Sequence, residues 1–121
     1  MPRIANLTLH EASDEQKVDG VFDVPDHSVL AMLLTFQSLP DKATIGARAS
    51  ALADIARETK AEAAMIGGAL WLMAPLESAL RSVGINPVYA FSVRESTKDV
   101  RQSDGSTMKT QVFRHAGWIW V

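Results

Sequence analysis

The chain has no cysteine, which excludes disulfides, thiolate metal sites and cysteine nucleophiles. It has no run of about 18 apolar residues, the length a membrane-spanning helix needs. Charge of one sign is also lacking. Twelve Lys and Arg stand against 14 Asp and Glu, and the formal net of -2 gives no electrostatic reason to expect bulk nucleic-acid binding. The common catalytic signatures are missing: there is no G-x-S-x-G, P-loop, G-x-G-x-x-G or H-E-x-x-H. The three histidines show no metal-ligand spacing with acidic residues, so neither a metal nor a cofactor is expected. The opening residues enter a strand-like pattern directly, without the charged-then-apolar segment of a secretory signal. The reading is therefore a cytoplasmic protein with no membrane attachment.

What remains is ordinary globular material, with 47% apolar and 21% charged residues over 121 positions. That length predicts one domain, 1–121, burying about two-thirds of its unfolded surface. The organising stretch is Ala63 to Ser96: a short apolar run, a Gly67-Gly68 turn, a helix-period segment, and a second apolar run from Val88 to Val93. This is the pattern of a β-α-β unit. Upstream, Ile4 to Leu9 predicts a first strand ending at His10. Ser13 and Gln16 then form an S-x-x-Q capping box at the start of a short helix. Val21 to Val24 reads as extended or irregular. A second short helix starts at Asp26 or Ser28, and a long one runs from Asp41 to about Thr59 with its alanines facing the sheet. Pro75 suits the first turn of the next helix, and Gly84 its C-terminal cap.

After Arg94 the polarity changes. Asp104-Gly105 predicts a two-residue hairpin turn, with the last strand returning antiparallel so that Arg94 faces His115. A bulge near Ser96 or Gly117 would shift that pairing by one. The fold class is thus α/β, a small Rossmann-like β-α-α-β-α-β-β domain with three parallel strands and an antiparallel C-terminal edge strand. Strand order stays open.

The carboxyl ends of parallel strands share one edge, so His10, Gly67, Gly68 and Arg94 to Ser96 are expected there, with His115 joining through the hairpin. The glycines free backbone N–H groups for a phosphate or carboxylate, although a glycine pair at a strand end is also simply a tight turn. Arg94 supplies a fixed charge, or else a surface salt bridge with Glu95, Asp99 or Glu77. Because imidazole is the side chain suited to proton transfer at neutral pH, His10 and His115 form a candidate acid–base pair for phosphodiester cleavage, each with the alternative of a structural hydrogen bond. Trp71, just after the glycines, is placed to stack on a base or sugar, or else to pack. Trp118 and Trp120 alternate onto one face of the last strand, which suggests a homodimer or a covering element.

The segments IANLTLHEASDEQ, AAMIGG and PVYAFSVRES resemble the small Rossmann-like proteins associated with CRISPR loci and mobile elements, which are similar to CARF domains and ring nucleases. That resemblance implies cyclic oligoadenylates bound at the carboxyl edge, commonly across a homodimer. By position, Thr8 and His10 correspond to the family's first-strand polar residues and Arg94 to its later basic residue. The expected function is binding of a small anionic, nucleotide-like ligand, with metal-independent phosphodiester cleavage as an extension. The rival is a protein-interaction module built on the Trp-bearing terminal strand.

Overall fold

The computed structural model describes residues 2–101 and 103–121, with side chains described for all of these except 95–100 and 108–112. In chain order the elements are β1 (Ile4–Leu7), α1 (Asp14–Val18), β2 (Val21–Asp23), α2 (His27–Leu34), α3 (Lys42–Glu58), β3 (Ala63–Ile66), α4 (Leu70–Ser82), β4 (Asn86–Arg101) and β5 (Thr107–Trp120). They build one five-stranded sheet of order β2-β1-β3-β4-β5, parallel except for the final β4–β5 pair.

The architecture is the expected small Rossmann-like α/β domain, with one strand more than the pattern predicts. Val21–Asp23 is a fourth parallel strand, pairing Ile4 with Val21 and Asn6 with Asp23. Three residues are too few for periodicity to register, and Gly20 holds the entry: its φ is +106°, and a Cβ there would lie 2.1 Å from the Pro2 carbonyl oxygen. The β1 segment also ends two residues early, at Leu7 rather than Leu9.

β1 and β3 are four residues each and buried throughout, as strands covered on both faces must be. On one face Ala5, Leu7, Ala64 and Ile66 meet α2, α3 and α4, whose Leu52, Leu72, Leu76 and Leu80 are wholly buried. Each such leucine contributes about 1.5–3 kcal/mol of transfer free energy. Ala49, Ala53 and Ala56 let α3 approach closely. On the other face Ile4, Val21, Met65 and Val88 form a smaller layer with Ala12, closed by Trp118.

The helix signals act where the pattern places them. Ser13 caps α1 in a two-way capping box, while Asp26 and Asp41 cap α2 and α3. α4 departs from the reading, since it starts at Leu70, so Ala69–Met73 is mostly helix and Pro75 lies inside it. Proline there removes only the hydrogen bond to the Trp71 carbonyl. The hairpin departs too. Pairing closes at Arg101 opposite Thr107, not through a two-residue turn, and the register slips between Phe91 and Ser92 and between Arg94 and Ser96. Arg94 therefore faces Phe113, and His115 faces Ser92. Gly117, at φ +139°, sits at the first slip.

Candidate functional site

The site is built outward from Asn6, 2% exposed and, among the described residues, the one buried polar residue. Its Nδ2 donates to the Asp23 carboxylate and to the His10 carbonyl, both at 2.7 Å. Its Oδ1 accepts from the Thr8 backbone N–H at 3.0 Å and from the Thr8 hydroxyl at 2.7 Å. Asp23 Oδ1 also accepts the Ala12 N–H at 3.0 Å. These bonds fasten the chain leaving β1 to the carboxyl end of β2 and replace the water that a buried amide would otherwise lose. Desolvation pushes the Asp23 carboxyl up, but the hydrogen bonds from Asn6 and Ala12, with the charges of Lys17 and His27, outweigh it and hold the group below its ordinary value.

Connectivity then opens the edge. The chain leaving β1 crosses to α1 on the side of the small layer, while those leaving β2 and β3 cross to α2 and α4 on the other. β1 is therefore flanked by a crevice on each side, because neighbouring strands send their exits to opposite faces there. Both crevices are occupied by depressions. The one toward β2, about 350 Å³, is lined by Asn6, Thr8, His10, Glu11, Asp23 and His27 among others. The one toward β3, about 560 Å³, is lined by Thr8, His10, Ser13, Gln16, Gly67, Gly68 and Tyr89 among others. The residues Thr8 to Glu11 form the shared rim.

The two differ in electrostatics. The first carries Asp23 and Glu11 beside two histidines and offers acceptors. Among the described residues the second has Glu11 as its one acidic group and no Lys or Arg, and Gly67-Gly68, just ahead of α4, form part of its wall. α1, α2 and α3 each have a side-chain cap, whereas α4 begins at Ala69 with none. The Leu72 N–H turns back to the Ala69 carbonyl at 3.0 Å, so an external acceptor there would take the N–H groups ahead of it. Gly68 adopts φ +129°, open to glycine, and a Cβ on Gly67 would meet Thr8 Cγ2 at an ordinary 3.7 Å. Tyr89 at the far wall donates its hydroxyl to Glu77 at 2.6 Å; burial and that carboxylate push it up to about 12.

Of the residues singled out from sequence, Thr8, His10, Gly67 and Gly68 gather at this edge. Trp71 lies in the first turn of α4, over half exposed, edge-on to Phe36 at 5.6 Å, and lines a separate depression with Lys42, Ile45, Gly46 and Pro75. Arg94 is exposed on β4 and lines neither crevice. The Ser96 side chain lies outside those described. His115 is not brought to His10: its Nε2–H donates to Asp19 at the C-terminal end of α1, and it lines a different depression with Glu15 and Val18. It pairs with Ser92 rather than Arg94, and the Asp19 bond holds its ring against the end of α1, so the acid–base pair of histidines is not assembled. Trp118 is likewise not an exposed ring, since it packs on the small layer and donates Nε1–H to Asp19. Asn6, Asp23, Ser13 and Gln16 were not chosen from sequence as ligand-facing residues. An asparagine inside an otherwise apolar strand is the one signal that could have pointed to this edge.

Among the described residues no three His, Asp or Glu side chains gather as metal ligands would, and no helix is long and apolar enough to cross a membrane. The family model described as Uncharacterized protein MJ1673 family matches residues 2–119. No curated protein and no solved structure matches the chain.

Proposed function

This chain belongs to the uncharacterized MJ1673 family, matched along residues 2–119, and we propose that it binds a small ligand bearing one anionic group at the carboxyl edge of its sheet. The observation that carries the reading is the Gly67-Gly68 turn in the wall of the larger of the two crevices that flank β1, just ahead of α4, whose start has no side-chain cap. The anionic group sits against the backbone N–H groups there, and the body of the ligand lies along Thr8, His10, Ser13 and Gln16. A volume of about 560 Å³ suits a nucleotide-sized molecule. The nucleotide class itself comes from the resemblance of the opening motif to CARF-like proteins. With no Lys or Arg in the lining, recognition rests on N–H donors, and the affinity is correspondingly modest.

A thermal-shift screen of nucleoside monophosphates, dinucleotides and cyclic oligonucleotides tests this. A ligand at about 100 times its Kd adds roughly 2.7 kcal/mol, a rise of several degrees in Tm. Gly67→Val fills the crevice mouth and is expected to abolish that rise while leaving the ligand-free Tm within a few degrees. Arg94→Ala is expected to leave it intact. If no ligand of the panel moves Tm, or if Gly67→Val leaves the shift unchanged, the reading fails.

A second reading is favoured by a different observation. Phe91, Phe113, Ile119 and Trp120 are each about half exposed or more on the terminal hairpin, whose β5 is an edge strand. Such an edge supports pairing with a partner strand or a second copy. Should Trp120→Ser leave the sedimentation behaviour and partner capture unaltered, this reading loses its support.

A further inference from the structure

α1 is five residues long and buries none of its side chains, yet Ser13 at its cap and Gln16 form part of the larger crevice. It is held at its other end. One carboxylate oxygen of Asp19, Oδ2, accepts from His115 Nε2–H at 3.0 Å and from Trp118 Nε1–H at 3.1 Å. The two rings meet edge-on with centroids 4.7 Å apart. The side chain of His115 is 8% exposed, and its Nδ1 has no hydrogen-bond partner, so Asp19 is what satisfies the ring. Glu15 and Arg114 add a looser contact at 4.0 Å on the exposed side. Trp118 also packs against the small core layer, whose Met65 lines the crevice.

We infer that Asp19 is the joint through which the β4–β5 hairpin sets the position of α1 and so the width of the crevice. A helix without buried side chains has little apolar area to hold it in place, and two donors converging on one partly exposed carboxylate supply the attachment instead. Displacing the hairpin therefore frees the α1 wall, and a ligand seated against Ser13 and Gln16 resists that displacement. The inference deepens the small-ligand reading, which supplies the use of the crevice.

The absence of cysteine provides a clean assay. Met65→Cys places one thiol in the small layer at the crevice, and Leu76→Cys places one in the opposite layer as a control. Labelling by a maleimide is compared with and without Asp19→Ala and, separately, Trp118→Phe, which keeps an aromatic ring but removes the donor. The expected result is a rise of about tenfold or more in the rate at position 65 in both backgrounds, as a local opening free of its polar latch gives, with the rate at position 76 unchanged. An unchanged rate at position 65 overturns the inference. So does a parallel rise at both positions, which would mean general loosening. The assay contains no ligand, so failure of the small-ligand reading leaves its outcome unaffected.

Discussion

Asn6 bonds four groups from inside the sheet, and its replacement removes all four bonds at once. Asn6→Leu fits the apolar surroundings but leaves the half-buried Thr8 N–H without its acceptor, while the exposed Asp23 carboxylate keeps the Ala12 N–H. We expect a loss of about 1–3 kcal/mol, read from urea unfolding, the cost of leaving such a donor unsatisfied. A loss below about 0.5 kcal/mol would mean that water takes over the network. Asp23 gives a pH signature. Its carboxyl titrates lower in the folded protein than in the unfolded chain, so its contribution is complete above the ordinary aspartate range and is lost as pH falls through the folded value. The Tm gap between wild type and Asp23→Asn should stay level from about pH 5 to 8 and shrink below about pH 4. A gap that widens on acidification contradicts the assignment.

At the scale of elements, caps were the most legible feature. Ser13, Asp26 and Asp41 act within a few residues of chain, so local chemistry decides them. Ser13→Ala should cost about 1 kcal/mol by thermal unfolding. By contrast Gly68 has open space beyond its Cα, so Gly68→Ala is penalised by backbone conformation alone, about 1–3 kcal/mol, because φ is +129°. Equal Tm values for wild type and Gly68→Ala would remove the special role of that turn. The hairpin register was not legible. Each slip inserts a residue on one strand only, which the alternation of Phe91 to Arg94 against Phe113 to Trp118 cannot announce. Pro75 misled for a related reason: a proline tolerated inside a helix gives the same local signal as one that opens it.

For the whole molecule, the class and the carboxyl edge followed from strand–helix alternation, and Thr8, His10, Gly67 and Gly68 meet there as connectivity requires. The missing strand, Val21–Asp23, changed more than the strand total. It gave β1 a second neighbour and a second crevice, and it brought Asp23 under Asn6. Three residues carry no period, so an extended reading of Val21 to Val24 becomes a paired strand only in the assembled sheet. His115 bonds to Asp19, while His10 lies on the rim shared by the two crevices.

The central claim is that the crevice between β1 and β3 receives an anionic group on the N–H donors ahead of α4. Amide chemical shifts followed by nitrogen-15 NMR, during titration with nucleoside monophosphates and separately with inorganic phosphate, test it most directly. Saturable shifts are expected at Gly67, Gly68, Ala69, Leu70 and the Thr8–Glu11 rim, and their loss is expected in Gly67→Val. Shifts confined to the hairpin, or none at any of these amides, would contradict it.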